Sequence, residues 1–276
     1  MKIALTGASG YVGGAIASAF RERGYEVLSL SRRPCLPPWQ HYSLGDDPNS
    51  ISWENVQVLI HAAHDFTAAT PSDNHTRNIA PAIDLFNAAH EAGVPHLVFI
   101  SSMSSFENCT SEYGKAKLAI EQQISHLNPT LVRPGLVWGG DTGGVMAALE
   151  ATVIHLPIVP YISGGNTLNQ YLVHAEDLAT NLANIIESQP PSKAQIIASY
   201  HPQSQSLFDI LKILAARHVK KRLFIPIHWR FAMLGINIFE TLRIRLPFRS
   251  DSLKGLVFAN QSPPSPENPS SYRKFC

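Results

Sequence analysis

The stretch Thr6-Gly7-Ala8-Ser9-Gly10-Tyr11-Val12-Gly13 follows the apolar run Ile3–Leu5 and opens a stretch of helical periodicity. Gly7 permits a tight turn, Gly10 allows the backbone to approach a pyrophosphate, and Gly13 allows the helix to pack close to the strand. The first turn of such a helix offers free N–H groups and the positive end of its dipole to phosphates. A purely structural turn is the alternative, but three glycines at this spacing favour a dinucleotide site.

Short apolar runs alternate with helical stretches through the first 135 residues. The runs that have the composition of buried strands are Ile3–Leu5, Val27–Leu30, Val56–Ile60, Leu97–Ile100 and Thr130–Val132. Alternation of this kind implies right-handed crossovers and a parallel sheet. The sequence therefore predicts an α/β protein of Rossmann type, a doubly wound parallel sheet with a small C-terminal substrate lobe.

The pattern changes after Gly135, where Gly and Pro become frequent. We expect a dinucleotide-binding core at 1–135, a substrate-binding lobe at 136–260 that is interleaved with the last core elements, and a disordered tail at 261–276, which is rich in Pro and Ser. The elements predicted beyond the core are helices near Ala175–Glu187, Ser206–His218 and Trp229–Arg243, and strands at Ala194–Ser199 and Arg222–Ile225.

The composition excludes several classes of protein. With 276 residues, 45% hydrophobic and 16% charged, the chain can bury a sizeable core. Lys+Arg 22 against Asp+Glu 21 leaves a formal charge of +1, which gives no reason to expect a nucleic-acid partner. The N-terminus resembles a strand and not a signal peptide, and the longest uncharged stretch, 151–175, contains two prolines and so cannot span a membrane.

Cysteine and histidine spacing gives no sign of a metal. The three cysteines, Cys35, Cys109 and Cys276, form no CxxC pair, which fits a reduced compartment, and we expect a cytoplasmic location. His61 and His64 lack a third ligand at the required spacing, so we expect no metal site there.

The end of the second strand bears on the choice of cofactor. An NAD site has an acidic residue there for the ribose hydroxyls. Here Val27–Leu30 is followed by Ser31, Arg32 and Arg33, and two guanidiniums suit a 2′-phosphate. The alternative is that the arginines only solubilise a loop. The pattern favours NADP(H) over NAD(H).

A tyrosine and a lysine share one face of a predicted helix. Tyr113 and Lys117 are spaced i, i+4 in a stretch that continues to about Gln123. A nearby ammonium would favour the phenolate of Tyr113, which could then exchange a proton with a substrate hydroxyl. Lys117 would also bind the nicotinamide ribose. Ser102, just past the fourth strand, could polarise the substrate oxygen.

Seven motifs appear in order across about two-thirds of the chain: TGASGYVG (6–13), HAA (61–63), RNIAPAIDLFNAA (77–89), FISSMSSF (99–106), YGKAK (113–117), RPGLVWG (133–139) and VHAEDLA (173–179). As a set they resemble the short-chain dehydrogenase/reductase superfamily, in its extended, NAD-dependent epimerase/dehydratase-like branch.

The resemblance implies roles for particular residues. It implies a catalytic triad of Ser102, Tyr113 and Lys117. It also implies that Ala62 and Ala63 line the adenosine side, that Asp46 contacts the adenine, and that Pro134 and Gly135 lie beside the nicotinamide. The cofactor contacts that the residue pattern itself predicts are Gly7, Gly10, Tyr11, Val12 and Gly13 in the turn, Ser31, Arg32 and Arg33 after the second strand, and Tyr113 and Lys117 on the helix. Helices near 75–91 and 111–125 form a dimer interface in members of this superfamily, so a homodimer is possible.

The chain departs from the sugar-nucleotide epimerases of this branch in two ways. Only ten residues separate Ser102 from Tyr113, and the C-terminal lobe is small. These departures put a full nucleotide-sugar site in doubt and leave a smaller carbonyl compound as the alternative substrate.

The segment 220–249 is basic, with seven Lys or Arg residues and one acid, Glu240, among aromatic and aliphatic residues. Three interpretations remain open: an ordinary helix with a solvated basic face, which we favour, a site for an anionic substrate, and a helix on an anionic membrane surface. Arg249 is the predicted contact for a substrate anion.

The sequence therefore predicts an NAD(P)-dependent oxidoreductase, or an epimerase/dehydratase-like enzyme, that moves a hydride at a hydroxyl or carbonyl carbon. The resemblance implies a nucleotide-linked sugar as the substrate, and a small carbonyl compound is the alternative. A non-catalytic NADP(H)-binding subunit or regulator is the alternative from another class. The presence of both Tyr113 and Lys117 favours the enzyme.

Overall fold

The computed structural model describes residues 1–68, 70–140, 143–164, 169–187, 190–242, 249–260 and 262–276. Numbered along the chain, the strands are β1 (Lys2–Thr6), β2 (Glu26–Ser31), β3 (Trp39–His41), β4 (Val56–His61), β5 (His96–Ile100), β6 (Thr130–Pro134), β7 (Leu136–Trp138), β8 (Ile158–Ser163), β9 (Asn169–Gln170), β10 (Leu172–His174), β11 (Gln195–Ser199), β12 (Gln205–Ser206) and β13 (Leu223–His228).

The α-helices are α1 (Tyr11–Glu22), α2 (Pro71–Asn74), α3 (Ala80–Glu91), α4 (Glu112–Ile124), α5 (Gly144–His155), α6 (Ala175–Glu187), α7 (Leu207–Arg217), α8 (Trp229–Thr241) and α9 (Ser250–Val257). A π-helical turn, His75–Ile79, joins α2 to α3, and short 3-10 helices occupy Pro48–Ser50, Ser125–Leu127 and Pro269–Ser271.

A seven-stranded sheet in the order β11-β6-β5-β4-β1-β2-β3 forms the centre of the molecule. Every neighbouring pair is parallel, with Ile3 opposite both Val27 and Val58. This is the strand order of a doubly wound dinucleotide-binding fold. The predicted fold class is confirmed, and each of the five predicted core strands is present.

Helices cover both faces of the sheet. On one face α1 and α6 bury residues such as Phe20 and Leu182 against β1. On the other, α3 and α4 bury residues such as Phe86 and Ile120 against β4 and β5. Because both faces are covered, the strands are apolar runs without alternation, which is why they could be recognised in the sequence.

The lobe consists of short strand pairs and helices that pack beside the carboxyl ends of the sheet. The pairs are β7 with β10, β9 with β12, and β8 with β13. Met146 of α5, Ile210 and Leu214 of α7, and Val159 of β8 belong to its buried cluster. Helix α6 and strand β11 return to the core, so the chain after Gly135 contributes to both parts.

The prediction of a disordered tail is wrong for residues 262–276, while residue 261 lies outside the described part. Tyr272 and Phe275 are buried. Arg273 donates from its backbone N–H and its Nε to the carboxylate of Asp177, each at 2.7 Å. A Pro/Ser-rich composition suggested disorder, but two buried aromatic side chains and the ion pairs of Arg273 with Asp177 and Glu176 hold the segment in place.

Helix α8 follows β13 at the surface of the lobe, and none of its side chains is buried. The predicted end of this helix, Arg243, lies among residues 243–248, which are outside the described part of the chain. Arg245 lies in the same range. Within the described ranges no helix combines the length and the apolar character needed to cross a membrane.

Candidate active site

A cavity of about 800 Å³ lies between the carboxyl ends of the sheet strands and the lobe. Its core walls come from the glycine turn after β1 and from the ends of β2, β4, β5 and β6, and its lobe walls come from β7, α5 and α9. Strand order reverses between β1 and β4, and ligands of doubly wound sheets bind at that point.

The glycine turn brings three backbone segments into close contact. Gly7 adopts φ +73°, and a Cβ there would lie 2.9 Å from the backbone nitrogen of Ala63. A Cβ on Gly13 would lie 2.2 Å from the carbonyl oxygen of Gly7. Any side chain at these two positions would push the start of α1 away from β1 and β4.

The start of α1 is suited to bind a pyrophosphate. The Gly14 N–H donates to the Gly10 carbonyl at 2.7 Å, so the amides of residues 11–13 precede the first helical hydrogen bond. No side chain among the described residues caps this end, and no acidic residue lies in its first turn. The exposed amides and the helix dipole therefore favour an anionic ligand.

The far end of the cavity lies beside β2 and the segment after it. The exposed side chains of Arg32 and Arg33 line it, and neither makes a hydrogen bond or ion pair with a described residue. The buried hydroxyl of Tyr42 also belongs to this wall and has no partner among the described residues. Two cations and a buried hydroxyl without partners among the described residues are thus available to the adenosine half of a dinucleotide.

Asp46 is placed outside the cavity. Its carboxylate accepts a hydrogen bond from the Ser43 backbone N–H at 2.7 Å and lies 3.8 Å from His41 Nδ1. Ser43 and Leu44 line the cavity, whereas Asp46 does not. The structure therefore does not support the predicted adenine contact, and Asp46 instead shapes the loop.

Tyr113, Lys117 and Ser102 all line the cavity. Ser111 begins α4 by accepting the Gly114 N–H at 3.1 Å, which presents Tyr113 on the first turn. The Ser102 side chain acts on the Tyr113 hydroxyl in the direction of a lower pKa. Lys117 Nζ donates to the Ile100 carbonyl at 2.8 Å and lies 5.8 Å from the Tyr113 ring centroid.

Burial is the main cause of the pKa shifts of Tyr113 and Lys117. It raises the pKa of Tyr113 to about 12, against the opposing effect of the Ser102 side chain. It lowers the pKa of Lys117 to about 7, against the opposing charge of Glu121. Burial therefore keeps the phenol of Tyr113 protonated at neutral pH. The causes of its pKa shift are burial and Ser102, so the predicted lowering of the Tyr113 pKa by Lys117 is not found in this structure.

A buried ion pair between Glu121 and Arg133 attaches the C-terminal half of α4 to the sheet. Glu121, one turn beyond Lys117, accepts from Arg133 Nε at 2.9 Å and also from Arg133 Nη2. The Ser101 hydroxyl donates to the same carboxylate. These contacts join α4 to β6 and to the residue that follows β5. The Glu121–Arg133 ion pair thereby helps to hold Lys117, one turn earlier on α4, in position relative to the sheet.

Three residues of the site were not predicted in these roles. The two carboxylate oxygens of Asp251 accept the backbone N–H groups of Glu112 and Tyr113 at 2.7 and 3.1 Å. The His64 and Phe66 rings pack on Tyr113, with centroids 4.9 and 5.7 Å from its own. The HAAH spacing placed His64 after β4, but no sequence signal links Asp251 to a helix 138 residues earlier.

The cavity brings together the other predicted site residues. Lining it are Gly7, Gly10, Tyr11, Val12, Gly13, Ser31, Arg32, Arg33, Ala62, Ala63, Ser102, Tyr113, Lys117, Pro134, Gly135 and Arg249. The guanidinium of Arg249 donates to the Phe66 carbonyl and so closes one side of the cavity beside Tyr113. Among the described residues there is no group of three or more potential metal ligands.

The fold and the cavity define a Rossmann-type protein with a dinucleotide site beside a Ser-Tyr-Lys group. A model of the NAD dependent epimerase/dehydratase family matches residues 3–197. The chain belongs to that family, whose members are nicotinamide-dependent reductases and epimerases.

Relatives and solved structures agree with this assignment. The chain is 29% identical over 192 residues to a ceramide reductase of Caulobacter vibrioides, covering 65% of this chain and 59% of that protein. It is 24% identical over 286 aligned positions to a 2-alkyl-3-oxoalkanoate reductase of Stenotrophomonas maltophilia, covering 89% and 85% of the two chains. UDP-glucose 4-epimerase of Thermus thermophilus, solved with NAD, superposes with a TM-score of 0.70 at 20% identity, covering 83% and 86%.

Proposed function

We propose that the protein is an NADPH-dependent reductase of a carbonyl compound, with Tyr113 as the proton donor. The observation that carries the proposal is the placement of Tyr113, Ser102 and Lys117 in the same cavity as the glycine turn. A protonated phenol is the form needed for reduction, and burial of Tyr113 maintains it by raising its pKa to about 12.

A nicotinamide dinucleotide bound along the glycine turn supplies the hydride for the carbonyl carbon. The Ser102 hydroxyl orients the carbonyl oxygen and polarises it by a hydrogen bond. As that oxygen gains negative charge, Tyr113 Oη gives it a proton. The Lys117 ammonium, 5.8 Å from the Tyr113 ring centroid, stabilises the phenolate that remains.

The preference for NADPH rests on the end of β2. The Arg32 and Arg33 guanidiniums are free of ion pairs to described residues, and the strand ends in Ser31, which has no charge to repel a phosphate. The Ser31 hydroxyl donates to the Arg33 carbonyl at 2.6 Å and shapes this turn. Such an arrangement suits a 2′-phosphate better than a free ribose hydroxyl.

The lobe favours a carbonyl compound with an apolar portion over a nucleotide-linked sugar. Among its described residues that line the cavity, Arg249 is the sole cation, whereas a diphosphate carries at least two charges to be neutralised. Leu136, Val145 and Leu256 supply apolar surface on the same side. The Caulobacter and Stenotrophomonas relatives, reductases of acyl-chain compounds by name, support this choice.

The experiment has two stages. Mass spectrometry of nucleotide released on denaturation, and titration with NADPH and NADH, give the cofactor; we expect NADPH to bind more tightly. NADPH oxidation is then followed with a panel of ketones and aldehydes with alkyl chains of increasing length. Retained NAD⁺ would contradict the NADPH assignment, and NADPH binding without turnover of any panel member would favour the regulator.

A further inference from the structure

Helix α8 exposes a row of large apolar side chains. Phe231, Leu234, Ile238 and Leu242 are 72%, 59%, 51% and 63% exposed. Their spacing, i, i+3, i+7 and i+11, places them on one side of the helix. The interpretation favoured from the sequence, an ordinary lobe helix with a solvated basic face, does not account for this apolar side, which faces solvent as well.

Neighbouring strands extend the apolar surface. Leu223 and Ile225 of β13 are 61% and 41% exposed, and Ile158 of the paired strand β8 is 49% exposed. Strand β13 leads directly into α8, which packs against β13 and β8. Exposed apolar surface of this extent marks an interaction site. We call α8 with β13 and β8 the α8 face.

Unpaired cations border the α8 face. Lys220 and Lys221 precede β13, and Arg230 lies at the start of α8; all three are exposed, and none forms an ion pair with a described residue. The sequence contains no Asp or Glu from 210 to 239. The acid that ends this stretch, Glu240, is engaged by the Ser250 N–H and hydroxyl at 3.0 and 2.7 Å.

We propose that the α8 face docks on the surface of an anionic lipid bilayer. The apolar side chains would enter the interfacial region, and Lys220, Lys221 and Arg230 would meet anionic headgroups. Trp229, whose ring lies 5.5 Å from the Arg230 guanidinium, belongs to a residue type enriched at that depth. With 13 residues, α8 is about 20 Å long, which suits a helix that lies on the surface.

The α8 face is connected to the cavity. Glu240, near the end of α8, holds the first residue of α9, Ser250, and the next residue, Asp251, holds the start of α4. Docking therefore places the bilayer close to the part of the protein that forms the lobe side of the cavity. The docking itself does not depend on the proposed reductase activity.

The test is flotation of the full chain with vesicles of phosphatidylcholine, with and without about one-third phosphatidylserine. We expect binding to the anionic vesicles, reduced roughly thirtyfold in partition coefficient by Lys220→Ala with Lys221→Ala, since each lysine near the surface contributes about a factor of five. Phe231→Ser with Leu234→Ser abolishes binding. Leu36→Ser, at an equally exposed leucine (64%) outside the α8 face, leaves it unchanged.

Three further measurements keep the outcomes distinct. NADPH affinity and thermal unfolding show that each variant is folded, and light scattering gives the mass. Failure of the wild-type chain to bind anionic vesicles would overturn the proposal. Vesicle binding that survives Phe231→Ser with Leu234→Ser would also overturn it. A wild-type chain that forms a dimer, does not bind vesicles and becomes a monomer in that variant would assign the α8 face to a second copy of the chain. None of these outcomes bears on reductase activity.

Discussion

Asp251 holds the start of the helix that carries Tyr113: its Oδ2 accepts the Tyr113 backbone N–H at 3.1 Å. The other carboxylate oxygen accepts the Glu112 N–H at 2.7 Å. A carboxylate at a helix N-terminus satisfies free amides and interacts favourably with the helix dipole. The C-terminal lobe thus fixes the position of the phenol in the core.

We expect Asp251→Ala to lower the free energy of unfolding by about 1.5–3 kcal/mol, the range for hydrogen bonds to a charged group. It should lower kcat more than it raises KM, because Tyr113 loses its fixed position while the cofactor site stays intact. Asp47→Ala is the matched control, since Asp47 caps the 3-10 helix Pro48–Ser50 outside the cavity. Unchanged kcat in Asp251→Ala would contradict the positioning role.

Lys117 makes stability depend on pH in a predictable direction. Its pKa is about 7 in the folded chain and near 10.4 when unfolded, so between these values the unfolded chain binds more protons. Stability therefore rises with pH across this window and is lost as pH falls through 7. The free energy of unfolding of wild type minus that of Lys117→Met should rise by up to about 1.4 kcal/mol per pH unit.

The control for this measurement is Lys115→Met. Lys115 is exposed and its pKa is raised by its hydrogen bond to Glu112, so its difference curve should be flat between about pH 7 and pH 9. Chemical denaturation at several pH values gives both curves. Parallel curves for wild type and Lys117→Met would show that Lys117 is not perturbed by burial.

Arg32 and Arg33 determine the predicted preference for NADPH. Removing both by Arg32→Ala with Arg33→Ala should weaken NADPH binding about 10- to 100-fold, because hydrogen bonds to a charged phosphate are lost. NADH binding should be unchanged. Calorimetric titration measures both affinities, and Arg23→Ala, which lies outside the cavity, is the control. Equal NADPH affinity in the double variant would refute this assignment.

The C-terminal segment contributes to stability through Phe275, which is 2% exposed and packs in the lobe cluster with Leu214. Phe275→Ala should cost about 3–5 kcal/mol, the range for a buried phenylalanine. Phe231→Ala, at a 72% exposed position, should change stability by less than about 0.5 kcal/mol. If thermal or chemical unfolding showed that Phe275→Ala and Phe231→Ala both change the free energy of unfolding by the same small amount, the C-terminal segment would not be anchored.

The sequence was informative where one local rule decides the structure. Core strands buried on both faces are uninterrupted apolar runs, and the helix predicted at Ala175–Glu187 has those bounds in the structure. The glycine turn was readable because Gly7 and Gly13 meet backbone that a side chain would displace. These features depend on neighbours in the chain or on the repeating βα pattern.

Long-range packing was not readable in the same way. Asp251 reaches α4 from 138 residues away, and nothing in its surroundings in the sequence indicates a partner. Phe275 anchors a Pro/Ser-rich segment whose average composition suggested disorder. For α8 the sequence indicated a helix with basic residues among aromatic and aliphatic ones, but not whether its apolar residues meet protein or solvent.

The most direct test of the account is the rate of NADPH oxidation by Tyr113→Phe with a ketone that the wild type reduces. The substitution removes only the hydroxyl, so NADPH affinity should be retained while kcat falls by about 10²- to 10⁴-fold, the contribution of a positioned proton donor. Tyr161→Phe, in the lobe and outside the cavity, should keep wild-type turnover. Undiminished turnover by Tyr113→Phe would contradict the proposed mechanism.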